Sequence, residues 1–434
     1  MHKRRKVFGL IAAMGLLLCT GCSRSVLNYQ VAECIGTLDK YENNEPVETP
    51  KMKAEREQKE SAEALESEQN VILEQAEGLA KEYRYEEAIS LLQSAEILEA
   101  NESAADLTAK YTEALDAMYE YEGDIGHLSF TNLIVDPETA FSSEYGQGYR
   151  DIMITIDEFR AILDELYKGG YILIDIHELA DESGTENDVT MTSRNPVIPQ
   201  GKKPFVLSIN NLNYDGCRNG GGVPTRLTLD ENGEVAAVYM DQEGHELTGA
   251  YDVIPVLEQF IEEHPDFSFR GARGIISLSG YAGIFGYQFE EGSALEYEKN
   301  KETVTEIAEK LLEDGWAFAS SGYSYQYMRD MSYDALKEDF SKWESTVGEI
   351  VGSCDTLLYP DGVEVDYTTE KGAFVVNRGF HYLLGLWAEG DYREVKSTYL
   401  RQTRRSVTGY ILENYPNNFD AFFLTSSVKD SARK

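Results

Sequence analysis

From about residue 125 to the C-terminus, short apolar runs alternate with helical segments. Continuous apolar runs of strand length are typical of buried parallel strands. They lie at 133–135, 171–174, 205–209, 274–278, 317–319, 356–359 and 373–376. The clearest helical segments occupy 156–167, 252–263, 301–315 and 334–351. This alternation predicts a parallel sheet covered by helices, either closed into a barrel or open.

Two segments interrupt the alternation. Residues 181–200 are mainly polar, and residues 216–251 contain Asn232-Gly233 and Glu243-Gly244. Such dipeptides favour tight turns between strands. The second segment is therefore predicted to form β-hairpins.

Residues 51–121 are rich in strong helix formers and contain no proline. Part of this region resembles one tetratricopeptide repeat, with matching positions at Tyr85, Ala88, Ile89, Leu92 and Ala95. Such repeats need about three stacked neighbours for stability, and only one clear copy is present. A plain helical hairpin or stalk is the alternative. A protein partner for this region is expected only if it is a repeat.

The N-terminus resembles a bacterial lipoprotein signal. Residues 2–6 are basic, and the apolar run at 7–18 is too short to span a bilayer. The run leads into Leu-Cys-Thr-Gly-Cys, which ends at Cys22. We expect a signal peptide at 1–21, lipidation of Cys22, a tether at 22–50 and an extracytoplasmic protein anchored by lipid to the bacterial cell membrane. An ordinary secretory signal is the alternative.

The composition narrows the classes of ligand. The formal net charge of −38 repels phosphate backbones, so no nucleic-acid partner is expected. Tyrosine is frequent, at 28 residues, which suits carbohydrate contact and tyrosine-rich interiors equally.

One segment resembles a known family. Residues 203–214 read Lys-Pro-Phe-Val-Leu-Ser-Ile-Asn-Asn-Leu-Asn-Tyr, which is similar to the catalytic strand of NodB-homology polysaccharide deacetylases. Further segments of similarity lie at 130–137, 153–159, 280–287 and 404–410. The resemblance implies a distorted (β/α) barrel of this type over 125–434, preceded by the α-helical stalk.

The family's chemistry is hydrolysis of an acetyl group assisted by a divalent metal. The resemblance implies two adjacent aspartates, one a general base and one a metal ligand, and two histidines four residues apart. This chain has Asn210 and Asn211 at the aspartate positions, and Ser321 and Tyr325 at the histidine positions. An amide cannot accept a proton at neutral pH and offers a metal no charge. The general base and the metal ligands (positions Asn211, Ser321 and Tyr325) are therefore expected to be lost.

Other residues match the family's substrate groove. The Tyr-Pro-x-Gly frame at 359–362 is retained, and aromatic groove candidates are Tyr323, Tyr325, Tyr359 and Trp387. No two histidines lie four residues apart, and His177 is expected to be a surface or cap residue. Asp215, Asp355 and Asp361 could form a relocated carboxylate cluster for calcium.

These patterns predict a cell-surface lipoprotein whose deacetylase-like domain binds glycan, or a protein partner, without hydrolysing it. No cofactor is expected in that case. The alternative is a divalent-metal hydrolase, using zinc or a similar ion, that removes acetyl groups from polysaccharides through a non-standard site.

Overall fold

The computed structural model describes residues 48–185, 188–289, 294–386 and 391–433. The predicted signal peptide, Cys22, most of the predicted tether and Trp387 lie outside these ranges. The described chain divides into two units, with residues 48–63 in the first and the described residues from 64 onward in the second. In the described part of the first unit, Arg56 bonds to the carboxylates of Glu48 and Glu60 on the helix surface.

The helices vary widely in length. In chain order they are α1 Pro50–Lys81, α2 Tyr85–Ser94, α3 Glu102–Asp116, α4 Pro137–Ser142, α5 Gly146–Ile152, α6 Ile156–Lys168, α7 Val253–Glu263, α8 Ala294–Glu313, α9 Tyr333–Thr346, α10 Gly348–Val351, α11 Glu370–Asn377, α12 Gly409–Asn414 and α13 Thr425–Val428. None of these helices, within the described ranges, is both long and apolar enough to cross a membrane.

The strands are mostly short. In chain order they are β1 Tyr119–Glu120, β2 Gly126–Phe130, β3 Tyr171–Leu173, β4 Ala180–Thr185, β5 Asp188–Ser193, β6 Val197–Ile198, β7 Lys203–Ile209, β8 Pro224–Leu229, β9 Val235–Met240, β10 Glu246–Gly249, β11 Ile275–Leu278, β12 Ala317–Ser320, β13 Thr356–Leu358, β14 Tyr382–Leu386, β15 Arg393–Val395 and β16 Leu400–Ser406.

Seven parallel strands of the described chain close into a barrel, in the order β11-β12-β13-β14-β16-β2-β7. Closure comes from β7, which pairs with β11 through Ser208 and Ile209. Residues 203–205, at the N-terminal end of β7, pair with β3 instead of β11. This change of partner along one strand edge distorts the barrel. The molecule is thus a distorted (β/α) barrel, as predicted. The predicted hairpins are β8, β9 and β10, which form a small antiparallel sheet.

Two predicted strands are wrong. Residues 133–135 form only an isolated bridge at Ile134, and the first barrel strand is β2, a few residues earlier. Residues 373–376 belong to α11, where Val375 packs in the core as part of a helical face. An apolar run this short fits a strand and a buried helix turn equally well.

The interior of the barrel is filled in two layers. Alternate residues of each strand point inward, so Val206, Ile275, Ala319, Leu358 and Leu384 form an apolar layer. Toward the C-terminal ends of the strands the inward residues become polar, and all are buried: Ser129, Ser208, Ser277, Ser321 and Arg404. This polar layer lies below the candidate site.

The helices before the barrel pack on one another and on the barrel. Ala76 of α1, Ala88 and Leu92 of α2, and Ala104 of α3 form a small core. Tyr83, in the turn between α1 and α2, donates its hydroxyl hydrogen to the carbonyl of Asp266 at 2.9 Å. This turn therefore anchors the helical region to the segment that precedes β11.

Candidate functional site

The predicted site residues meet at one end of the barrel. The C-terminal ends of parallel barrel strands lie at one rim, where the following loops converge. Asn210 and Asn211 follow β7, Ser321 follows β12, and Arg404 lies near the end of β16. The sequence resemblance predicted this convergence for all of these residues except Arg404.

Arg404 contacts Asn210 directly. Its Nη1 donates to Asn210 Oδ1 and, at 3.2 Å, to Ser129 Oγ. Its Nη2 donates to the carbonyl of Tyr359 at 3.2 Å. The residue is only 1% exposed, and this burial lowers the pKa of the guanidinium to about 10. Arg404 therefore remains a cation at neutral pH, next to Asn210, where the sequence resemblance implies an aspartate.

Asn211 is held by two serines. Its backbone lies in the left-handed region with φ 43°, which asparagine tolerates better than most residues. Its N–H donates to Ser277 Oγ at 2.8 Å. Its Oδ1 accepts hydrogen bonds from Ser279 Oγ at 2.7 Å and from the Ser279 N–H at 3.1 Å. The side-chain oxygen that a metal would need already accepts two hydrogen bonds.

Ser321 and Tyr325 do not replace a pair of histidines. The buried hydroxyl of Ser321 donates to the carbonyl of Leu358 at 2.9 Å, so it is directed at the barrel wall. Tyr325 is half-buried and has φ 53°. Burial, together with the charge of Asp361, raises the pKa of the Tyr325 phenol to about 12 although Arg404 opposes the shift. The phenol is protonated at neutral pH and is a poor metal ligand.

These residues do not fit a divalent metal. Divalent cations are held mainly by carboxylates, imidazoles or thiolates, with neutral oxygens as additional ligands. Here the amide oxygens of Asn210 and Asn211 are already occupied by hydrogen-bond donors. The buried charge of Arg404 would also repel a metal. Within the described ranges, no group of three or more His, Cys, Asp or Glu side chains could hold a metal ion.

Tyrosines lie in the loops at this end of the barrel, after β11 and β12. Tyr323 is half-buried, and its ring lies 3.7 Å from the amino group of Lys342. Tyr281 is 54% exposed and its N–H donates to the carbonyl of Tyr323 at 2.8 Å. Tyr327 is 41% exposed, and its hydroxyl donates to Asp361 at 2.9 Å. We call Tyr281, Tyr323, Tyr325 and Tyr327 the rim tyrosines. Sequence reasoning missed Tyr281 and Tyr327.

Tyr359 is not a groove residue, contrary to the prediction. Its side chain is 1% exposed and packs against Leu336 and Phe340. Its hydroxyl accepts a hydrogen bond from Tyr367 at 3.2 Å. In β13 the inward residue is Leu358, so Tyr359 turns to the outer helix layer. Only its backbone carbonyl, bound by Arg404, belongs to the site.

His177 lies on the surface at the start of a short helix, as predicted, and 40% of its side chain is exposed. Its ring nitrogens lie 2.6 Å from Asp175 and 2.8 Å from Asp355. Burial opposes the charged imidazolium, but the hydrogen bonds to the two aspartates outweigh it and raise the pKa of His177 to about 10. Asp355 precedes β13, at the opposite end from the site. It therefore cannot join Asp215 and Asp361 in a calcium cluster.

A further histidine lies inside the barrel beneath the site. His127 of β2 is fully buried, and its Nδ1 lies 3.1 Å from Gln402 Oε1. Burial and the charge of Arg404 lower the pKa of His127 to about 3. The ring is neutral at physiological pH. Alternation along 400–406 places Leu400, Gln402 and Arg404 on one face, which is the sequence signal for these interior polar residues.

Comparison with known proteins gives similarity to solved structures at low identity and low TM-score. No family model matches the chain, and no curated protein matches it. Among solved structures, the deacetylase PplD of Streptococcus pyogenes in complex with acetate is 12% identical, with a TM-score of 0.38, over 69% of this chain and 98% of that chain. The polysaccharide deacetylase BC0361 of Bacillus cereus is 12% identical, with a TM-score of 0.38, over 71% of this chain and 69% of that chain. The description of the barrel therefore rests on the strand pairing of this chain.

Proposed function

We propose that this protein is a catalytically inactive, deacetylase-like barrel that binds glycan at the rim tyrosines. The observation that carries the proposal is the contact between Arg404 and Asn210. A cation and an amide occupy the place where metal-assisted hydrolysis needs a carboxylate base. The sequence resemblance supports the kinship with deacetylases.

The loss of hydrolysis follows from the protonation states. Asn210 and Asn211 cannot take a proton from water, and a general base must do so. The imidazole nearest to the site along the barrel interior, His127, is fully buried below Arg404 and cannot reach a bound substrate. The Tyr325 phenol stays protonated at neutral pH and cannot serve as the general base.

Binding is supported by the chemistry of the rim tyrosines. Tyrosine faces stack on the apolar faces of sugar rings, while their hydroxyls bond to sugar hydroxyls. Tyr281 and Tyr327 are exposed although they are large aromatic residues. A backbone hydrogen bond fixes the main chain of Tyr281, and a side-chain hydrogen bond to Asp361 holds the phenol of Tyr327. Rigid aromatic residues lose little entropy when a ligand binds.

Two measurements on the purified protein test the proposal. The first is binding of tetra-N-acetylchitotetraose and of peptidoglycan fragments by calorimetry. Tyr281→Ala and Tyr327→Ala are expected to weaken binding at least tenfold, about the value of one stacking contact. Tyr415→Ala is the matched control, because Tyr415 is also 53% exposed but lies at the end of α12 in the outer layer. Equal losses in all three variants, or no binding at all, would contradict the proposal.

The second measurement distinguishes the alternative hydrolase. We expect no release of acetate from acetylated glycans and no stoichiometric metal in the purified protein. Tightly bound zinc together with acetate release would establish a non-standard deacetylase instead.

The proposal includes anchoring to the outer face of the cell membrane through Cys22. Two or more lipid chains are needed for stable attachment, which lipoprotein processing supplies. Labelling of cells with a fatty acid is expected to mark the wild type but not Cys22→Ser. Release of Cys22→Ser into the medium would accompany the loss of label.

A further inference from the structure

Arg404 is a buried cation without a carboxylate partner among the described residues. Its guanidinium bonds to a serine hydroxyl, an amide oxygen and a backbone carbonyl, all of which are neutral. Its Nε is buried and has no hydrogen-bond partner. Buried charges in proteins are normally paired, because removing a charge from water is costly.

A second buried arginine in the same chain follows that rule. Arg433 Nε donates to Glu158 Oε1 at 2.6 Å, and neither side chain is exposed. Its other donors bond to the carbonyls of Arg150 and Met153. The buried Arg433 therefore has a carboxylate partner, whereas Arg404 has none among the described residues.

The side chains above Arg404 place hydrogen-bond donors at this end of the barrel. Asn210 and Asn211 are half-buried, and both side-chain oxygens point inward to Arg404 and Ser279. Their amino groups are then left for the solvent side, and neither donates to another described residue. The protonated phenol of Tyr325 lies in the field of Arg404 as well. A metal site offers acceptors to a cation, whereas this site offers donors and a positive charge.

Neither carboxylate described near the site forms a hydrogen bond with Arg404. Asp361 is exposed to water and already accepts a hydrogen bond from Tyr327. Glu364 pairs with Arg401 at 2.9 Å and accepts from Tyr367 at 2.8 Å. Water screens the charge of Asp361, and the guanidinium of Arg401 offsets the charge of Glu364. A bound anion would therefore meet donors at close range and only screened or compensated charge further away.

We propose that the glycan unit bound at this end of the barrel is an acidic sugar, and that its carboxylate is held by the amino groups of Asn210 and Asn211 above Arg404. This inference rests on the proposed glycan-binding function and specifies its ligand. A carboxylate supplies the counter-charge that Arg404 lacks, and charge-assisted hydrogen bonds are the stronger ones.

The experiment compares two oligosaccharides of equal length. A hyaluronan tetrasaccharide carries carboxylates, and tetra-N-acetylchitotetraose does not. Calorimetry near physiological ionic strength is suitable, because the Debye length of about 8 Å screens the overall negative charge of the protein more than a direct contact. The wild type is expected to bind the acidic ligand on the order of tenfold more tightly.

A conservative variant tests whether Arg404 is responsible. Asn210→Asp supplies an internal carboxylate to Arg404 without disturbing its packing, so the preference for the acidic ligand should vanish. Asn232→Asp is the control, since it adds the same charge in the exposed turn between β8 and β9, and it should keep the preference. Thermal unfolding of both variants shows that they are folded.

The outcomes separate the two proposals. If both ligands bind equally, the inference of an acidic sugar is wrong while glycan binding stands. If the preference persists in Asn210→Asp, the carboxylate is bound elsewhere and the site assigned here is wrong. If neither ligand binds, the proposed function itself fails.

Discussion

Arg433 and Glu158 form an ion pair that is completely buried. The Arg433 Nε lies 2.6 Å from Glu158 Oε1, and both side chains are fully inaccessible. The Glu158 side chain also accepts a hydrogen bond from the N–H of Thr155, which completes a capping box at the start of α6. A residue at the very end of the described chain is thereby joined to the first long helix of the barrel.

Arg433→Ala should lower the free energy of unfolding by about 3 to 5 kcal/mol, because it leaves the Glu158 carboxylate buried without its partner. Lys429→Ala is the control. Lys429 lies 3.7 Å from Glu413, and both side chains are partly exposed, so the loss should stay below about 1 kcal/mol. Urea unfolding followed by circular dichroism measures both. Similar small losses in the two variants would show that the buried pair contributes little.

Asn210→Asp should stabilise the fold near pH 7 by about 1 to 2 kcal/mol, because a charge-assisted bond replaces a neutral one at Arg404. The guanidinium would hold the pKa of the new carboxyl below its unfolded value near 4. The gain is then present above that value and is lost as the pH falls through the folded pKa. Melting temperatures near pH 7 and pH 3 measure the effect. A destabilised Asn210→Asp at neutral pH would contradict this account of Arg404.

His177 should make stability depend on pH in the alkaline range. Its pKa is raised to about 10 in the folded protein, above an unfolded value near 6.5. The stabilisation is fully present below the unfolded pKa and is lost as the pH rises through the folded one. Because 40% of the side chain is exposed, solvent screening limits the effect to about 1 kcal/mol.

The test is the difference in unfolding free energy between wild type and His177→Gln at intervals from pH 6 to pH 10. This difference should shrink as the pH rises. His245→Gln is the control, since His245 is 65% exposed and pairs with Asp241 in a hairpin turn. A difference that stays constant with pH would mean that folding does not raise the pKa of His177.

Gly280→Ala should weaken glycan binding severalfold with little loss of stability. A Cβ at this position would overlap the ring of Tyr323, which has to move away from its place at the rim. Gly148→Ala is the control, because a Cβ there meets no atom within 4 Å and the site lies within α5. Calorimetric titration and thermal unfolding separate the two effects. Unchanged binding in Gly280→Ala would exclude Tyr323 as a ligand contact.

The apolar runs located four of the seven described barrel strands, β7, β11, β12 and β13. The barrel itself and the positions of Asn210, Asn211, Ser321 and Tyr325 were predicted from the family resemblance. Apolar strands flanked by amphipathic helices carry a periodic signal, and the loops after parallel strands meet at one end. What the sequence did not reveal was the partner of Asn210. Strand β16 reads Leu-Arg-Gln-Thr-Arg-Arg-Ser, which is polar because its inward side chains form hydrogen bonds inside the barrel, so an apolar pattern could not locate it.

Tyr359 shows a second limit of prediction from sequence, because a motif does not determine which way a strand residue points. Its motif suggested a wall of the groove, but the two faces of a strand differ by a single residue, and only the pairing of β13 with its neighbours decides which face is inward. Tyr281 was missed because it lies in a loop of little periodicity, where exposure depends on contacts with a distant segment, here the carbonyl of Tyr323.

The closure of the barrel also has a kinetic consequence. Strand β2 pairs with β16 through Leu128 and Arg405, and Ser129 and Ser406, residues at opposite ends of the domain sequence. In the proposed export, the chain emerges from its N-terminal end, and the edge of β2 stays unpaired until β16 has emerged as well. Contacts so distant in sequence slow folding and leave strand edges exposed to wrong pairing. The emerging chain should therefore depend strongly on chaperones until its final residues appear.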